Sequence, residues 1–196
     1  MFELIYPVDP APVLPLPTVD KPGSEPRTGT EMVPVVEESG LVIGQASRET
    51  VHGGSMLLHP VVHLHVVNRG GELFIQKRSM KKKQFPGMWD TAVGGHVDYG
   101  ERLETALFRE SFEELDFREY NPVYLKSYVW QSKVEKELVN VYATVGNFDL
   151  DPCNDEVAEG RYWNMDEVES LLGKNVFTPN FEQEFVSIKD MLLALL

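Results

Sequence analysis

Apolar and polar residues alternate through residues 60–79, "PVVHLHVVNRGGELFIQKRS". The alternation breaks at Asn68-Arg69-Gly70-Gly71 and then resumes. Period-two patterning predicts strands, and a glycine-containing break between two such runs predicts a hairpin. Residues 32–47, "MVPVVEESGLVIGQAS", read as two short strands around a turn at Ser39-Gly40. Further strands are expected at 90–93, 124–130, 138–145 and 161–163. The pattern changes to helical spacing at 101–115, where Phe108, Phe112 and Leu115 share a face expected to pack on the sheet. "NMDEVESLL" at 164–172 starts a helix with an Asn or Asp cap, and 181–196 is a terminal helix. Strands and helices mix without βαβ regularity, which predicts an α+β fold.

The 196 residues are enough for one sizeable core. Seven of the thirteen prolines lie within residues 1–26, so 1–31 is expected to be a proline-rich leader or arm and 32–196 the folded domain. The formal charge of -13 argues against non-specific nucleic-acid binding and against a polybasic membrane surface. No apolar run reaches the roughly 18 residues of a membrane span, and no signal peptide is seen, so a cytoplasmic location is expected. The single cysteine, Cys153, sits in an acidic turn-like stretch that disfavours a thiolate.

The stretch "GGHVDYGERLETALFRESFEELDF" at 94–117 carries the chemistry. On a helical wheel Glu110, Glu113 and Glu114 fall within about one quadrant, on the side away from Phe108, Phe112 and Leu115. Like charges so placed repel, and a solvated acidic face is the plain explanation. The residues before them favour another. Gly94-Gly95 permits close backbone approach, Gly100 a tight turn, and Arg109 can pair with a carboxylate and fix its rotamer. A hard divalent cation needs several oxygens from a rigid element and would offset the repulsion.

Gly95, five residues, Glu101, seven residues, then "RESFEELDF" resembles the Nudix box, G-x5-E-x7-R-E-U-x-E-E-x-G-U. Gly95, Glu101, Arg109, Glu110, Glu113 and Glu114 fill its polar positions. Ser111 stands where an apolar residue is usual, and Asp116 where glycine ends the helix. Aspartate tolerates the left-handed conformation at some cost. The resemblance implies an α/β/α sandwich with a mixed sheet. It also implies Mg²⁺-dependent (or Mn²⁺-dependent) hydrolysis of a small-molecule diphosphate, with Gly95, Glu110, Glu113 and Glu114 at the metal. A homodimer is compatible with it.

Residues 40–181 also resemble one branch of that superfamily, isopentenyl diphosphate isomerase. There three histidines and two glutamates hold a separate metal, and the matching positions are His52, His59, His96, Glu135 and Glu137. Imidazole with carboxylate suits Zn²⁺ or Mn²⁺ better than Mg²⁺. Arg48, Arg78 and Lys82 match the positions that hold the diphosphate. His63 and His65 have no counterpart and read as strand residues. The isomerase acid is a cysteine where this chain has Gly94, and its cation-stabilising tryptophan is replaced by Asn180. The box retains Glu110 and Glu113, which the isomerases lack. The expected activity is therefore hydrolysis. Isomerisation, or a non-catalytic nucleotide sensor, are the alternatives.

Overall fold

The structure, a computed structural model, describes residues 31–150, 152 and 155–196. The chain divides between Thr30 and Glu31. Apart from Glu31, the proline-rich leader lies outside the described residues, as does Cys153.

The elements follow in order: β1 (Met32–Val36), β2 (Val42–Ser47), α1 (Arg48–His52), β3 (Leu58–Val67), β4 (Glu72–Arg78), β5 (Trp89–Asp90), β6 (Val93–His96) and α2 (Leu103–Leu115). Then come β7 (Val123–Gln131), β8 (Lys136–Val145), β9 (Val157–Asn164), α3 (Met165–Leu171) and α4 (Pro179–Leu193). β1 and β2 form a separate antiparallel ribbon. The main sheet runs β5-β4-β3-β8-β7, with β6 added on β3 and β9 on β4. β3 and β8 are parallel and the other pairs antiparallel, which makes the sheet mixed.

Alternation along β3 feeds two cores. Val62, Leu64 and Val66 pack with Ala106, Leu107 and Leu115 of α2. Val61 and Val67 pack with Phe181, Phe185 and Ile188 of α4 on the opposite face. The result is the α/β/α sandwich expected from the sequence.

Several elements differ in detail. The hairpin at 60–79 forms, but β3 and β4 pair only at Val66–Phe74 and Val67–Leu73. Beyond that β3 turns to β6 and β8, because its ten buried residues need neighbours on both edges. The strand expected at 90–93 is split into β5 and β6. The short helix α1 was not anticipated; Ser47 caps it by accepting from Thr50 N. α4 begins earlier than expected because Thr178 caps it and Pro179 fits its first turn.

Helix α2 is turned relative to the sequence reading. Its buried residues are Ala106, Leu107, Ser111, Glu114 and Leu115, whereas Phe108 and Phe112 are only partly covered. Phe112 instead lies 3.6 Å under the Arg118 guanidinium. The rotation is possible because β6 presents Gly95 to the helix, leaving room for the Glu110 carboxylate. Ser111 fits its buried position by donating to Leu107 O at 2.7 Å and lying 2.7 Å from the Tyr120 hydroxyl. Asp116 ends the helix at φ 48°, in the left-handed region, as its place in the motif predicts.

Candidate active site and metal centre

Glu110 and Glu114 of α2 face β6 rather than open solvent, whereas Glu113 is exposed. Glu114 is almost fully buried and accepts from Gln76 Nε2 at 3.0 Å and from Gly94 N at 3.2 Å. Burial, with Glu110 nearby, pushes its carboxyl up to about 8. Burial also raises Glu110, to about 7, although Arg109 opposes it. Gln76 Oε1 is a buried acceptor with no hydrogen-bond partner. Two buried carboxyls beside an unused acceptor form an oxygen-rich set that a hard cation suits.

Arg109 organises the cluster. Its guanidinium grips Glu101 in bidentate fashion, at 2.9 and 2.8 Å. It also donates to Glu110 Oε1 at 2.6 Å and to the His96 carbonyl at 2.8 Å, and approaches Glu113 at 3.5 Å. Glu101 in turn accepts from Asp98 N at 3.0 Å. Glu101, Glu110 and Glu113 thus meet at Arg109, with Glu110 against Gly95 and Glu114 on the Gly94 N–H.

A second cluster lies at the other side of β6. Strand register pairs Val62 with Gly95 and Val61 with His96, so Gly95 faces α2 and His96 faces away. One ring nitrogen from each of His52, His59 and His96 lies within 4.8 Å of the others. His52 Nε2 and His96 Nε2 are 2.9 Å apart, and the buried His59 Nε2 has no hydrogen-bond partner. Burial lowers the pKa of both His59 and His96, His96 well below the usual imidazole value, with neighbouring positive groups adding to the effect. Three imidazoles whose ring nitrogens converge, one of them buried and unsatisfied, form a donor set that a transition metal fits.

The two predicted glutamates sit differently. Glu135, one residue before β8, bonds His52 Nδ1 and accepts from Gln84 Nε2 at 3.2 Å. It therefore lies behind His52, on the nitrogen away from His96. Glu137 is buried and stands beside His59 in the β3–β8 register; burial, with Glu135 close by, raises it to about 7.

Each predicted diphosphate ligand already has an acidic partner. Arg48 pairs with Glu31 at 2.9 Å, Arg78 with Asp90 at 3.0 Å, and Lys82 with Glu156. The charges of Arg48 and Lys82 are both felt at His96, which places them beside the site. Arg78 is tied to the sheet through Asp90 and the Gln84 carbonyl.

His63 and His65 do more than fill a strand. Both meet Glu184 of α4, which is fully buried, together with Tyr128 and Asn180. The sequence signal was available: 59, 63 and 65 share parity, and Glu184 falls on the apolar face of its helix.

A NUDIX domain model matches residues 57–185. The isopentenyl-diphosphate Delta-isomerase of Leifsonia xyli subsp. xyli is 32% identical over 163 residues, 76% of this chain and 83% of that protein. An uncharacterized Nudix hydrolase of Nostoc sp. is 43% identical over 86 residues, 44% of this chain and 51% of that protein. The crystal structure of DR0079 from Deinococcus radiodurans matches with a TM-score of 0.65 and 25% identity, over 76% of this chain and 92% of that one.

Proposed function

The chain belongs to the NUDIX family, in its isopentenyl-diphosphate-isomerase-like branch, and on that premise we propose that it hydrolyses the diphosphate linkage of a small nucleoside or organic diphosphate. One observation carries the reading: Glu110 and Glu114 are folded against Gly95 and the Gly94 N–H, and the Arg109–Glu101 clamp holds Glu110 with Glu113 alongside.

Glu110, Glu113 and Glu114 would hold Mg²⁺ or Mn²⁺ at Gly95, and His52, His59 and His96 a transition metal. A divalent cation there supplies Lewis acidity toward phosphate oxygens and a lowered pKa for water. The protein's own part is positioning. Arg109 fixes Glu110, and Gln76 with Gly94 N–H fixes Glu114, so the oxygens are set before substrate arrives. Arg48 and Lys82 would exchange their carboxylate partners for diphosphate oxygens, Arg in bidentate fashion and Lys as a point charge.

Isomerisation is the second reading, favoured by the isomerase relative. Against it, Gly94 has no side-chain proton, and Asn180 offers no aromatic face and is bonded to Tyr128 at 2.7 Å. The purified chain should be given Mg²⁺ and a panel of nucleoside, sugar and prenyl diphosphates, with phosphate release, pyrophosphate release and isomer formation scored in parallel. Release from at least one compound supports hydrolysis. Folded protein that releases nothing across the panel overturns it.

A further inference from the structure

Glu184 is a carboxylate on the apolar face of α4, among Phe181, Phe185 and Ile188. Burying it is costly unless its oxygens are engaged. They are: His63 Nδ1 lies at 3.0 Å, His65 Nε2 at 2.6 Å, and the Tyr128 hydroxyl at 2.8 Å. The network pins His63 by one ring nitrogen and leaves the other, Nε2, directed across the β3–β6 pair.

What lies there is Gly94. It pairs with His63 in register, and a β-carbon built on it would stand 3.5 Å from His63 Nε2. Gly94 is exposed, and its N–H binds Glu114. The missing side chain therefore leaves an opening on the face of β6 that Gly94 shares with His96, with an imidazole edge as its wall, while the N–H of the same residue holds Glu114 of the carboxylate cluster. Burial by itself would favour neutral imidazole, but the Glu184 charge against Nδ1 prevails and raises His63 to about 9. Nδ1–H donates to the Glu184 carboxylate, so Nε2 is the ring nitrogen left for a ligand, and the raised pKa favours a second hydrogen on it.

We propose that His63, held by Glu184, determines substrate specificity: its Nε2 donates a hydrogen bond to an oxygen of the group joined to the diphosphate, selecting nucleoside or sugar diphosphates over hydrocarbon ones. This rests on the hydrolase reading for the placement of the diphosphate on the α2 carboxylates. The physical reason is asymmetry. A hydrocarbon over Gly94 strips water from a charged donor and leaves it unpaired, whereas an oxygen replaces that water.

The test is binding, measured calorimetrically with Mg²⁺ in a Glu113→Gln background so that turnover is slow. ADP-ribose and UDP-glucose are the polar probes, and isopentenyl diphosphate the hydrocarbon one. The polar probes should bind at least about 10-fold tighter than isopentenyl diphosphate. His63→Leu should weaken the polar probes roughly 10- to 100-fold and leave isopentenyl diphosphate within about twofold. His63→Gln, which still donates, should recover part of the loss. Should His63→Leu melt below the assay temperature, Gly94→Ala decides. It fills the opening at ordinary contact distance from His63, leaves the Glu184 network intact, and should also weaken the polar probes selectively. No preference in the parent, or parallel loss for both probe classes, overturns the proposal. Phosphate release by the unmodified chain is read separately. If none occurs while the His63-dependent preference holds, the hydrolase reading fails and the specificity stands; hydrolysis without that preference fails the specificity alone.

Discussion

The carboxylate of Glu110 fills the space that a β-carbon on Gly95 would need. Gly95 is therefore a steric requirement of the cluster. Gly95→Ala should displace Glu110 and break its 2.6 Å pair with Arg109. The expected outcome is a folded protein whose Mg²⁺-dependent turnover falls by about 100-fold, the scale of a misplaced catalytic group. Circular dichroism checks the fold, and wild-type-like turnover would remove Glu110 from the working site.

Glu113→Gln and Glu114→Gln keep shape while removing charge. Each should lower turnover by at least about 100-fold, as expected on losing one preorganised electrostatic group. Steady-state kinetics on whichever diphosphate is hydrolysed is the measurement. Undiminished activity in both variants would sink the hydrolase assignment.

Metal should reverse a pH effect on stability. Folded Glu110 and Glu114 titrate near 7 and 8, above the 4.5 of a free carboxylate. Between those values the folded chain holds protons that the unfolded chain has released, so stability falls as pH rises. A cation favours the ionised forms. In EDTA, Tm should fall as pH rises from about 5 to about 8.5, and saturating Mg²⁺ should raise Tm by about 5 °C at the upper end and least at the lower. A Mg²⁺ shift independent of pH would show that these two carboxyls do not bind it.

The histidine cluster should retain a transition metal through dialysis. The His52→Ala, His59→Ala double variant should lose it, measured as metal content per chain by elemental analysis. Glu135→Gln should weaken retention about 10- to 100-fold, because Glu135 bonds His52 from behind. Equal metal content in the double variant and the parent would mean that the three imidazoles bind no ion.

Isopentenyl and dimethylallyl diphosphate should not interconvert. Gly94→Cys alone should also fail, since position 180 would still hold an asparagine engaged by Tyr128. Product isomer above background in either protein, free of contaminating isomerase, would overturn this.

The box was legible in the sequence because its chemistry is local. Glu101, Arg109, Glu110, Glu113 and Glu114 lie within fourteen consecutive residues, and helix periodicity fixes their mutual spacing. The α+β class was legible for the same reason: alternation and helical spacing are properties of short windows. Even His52, His59 and His96 could be grouped from the sequence, though only through resemblance to a family.

Tertiary structure decided what lies between elements. Periodicity gave Phe108, Phe112 and Leu115 as the packed face of α2. Leu115 does pack, but the helix is rotated so that Glu110 and Glu114 face β6, because Gly95 leaves room there and Gln76, Gly94 N–H and Arg109 satisfy the buried oxygens. His63 and Glu184 are 121 residues apart, and no local pattern relates them. They meet because β3 is central in the sheet and α4 crosses its face, and a buried carboxylate must find its partners wherever the packing brings them.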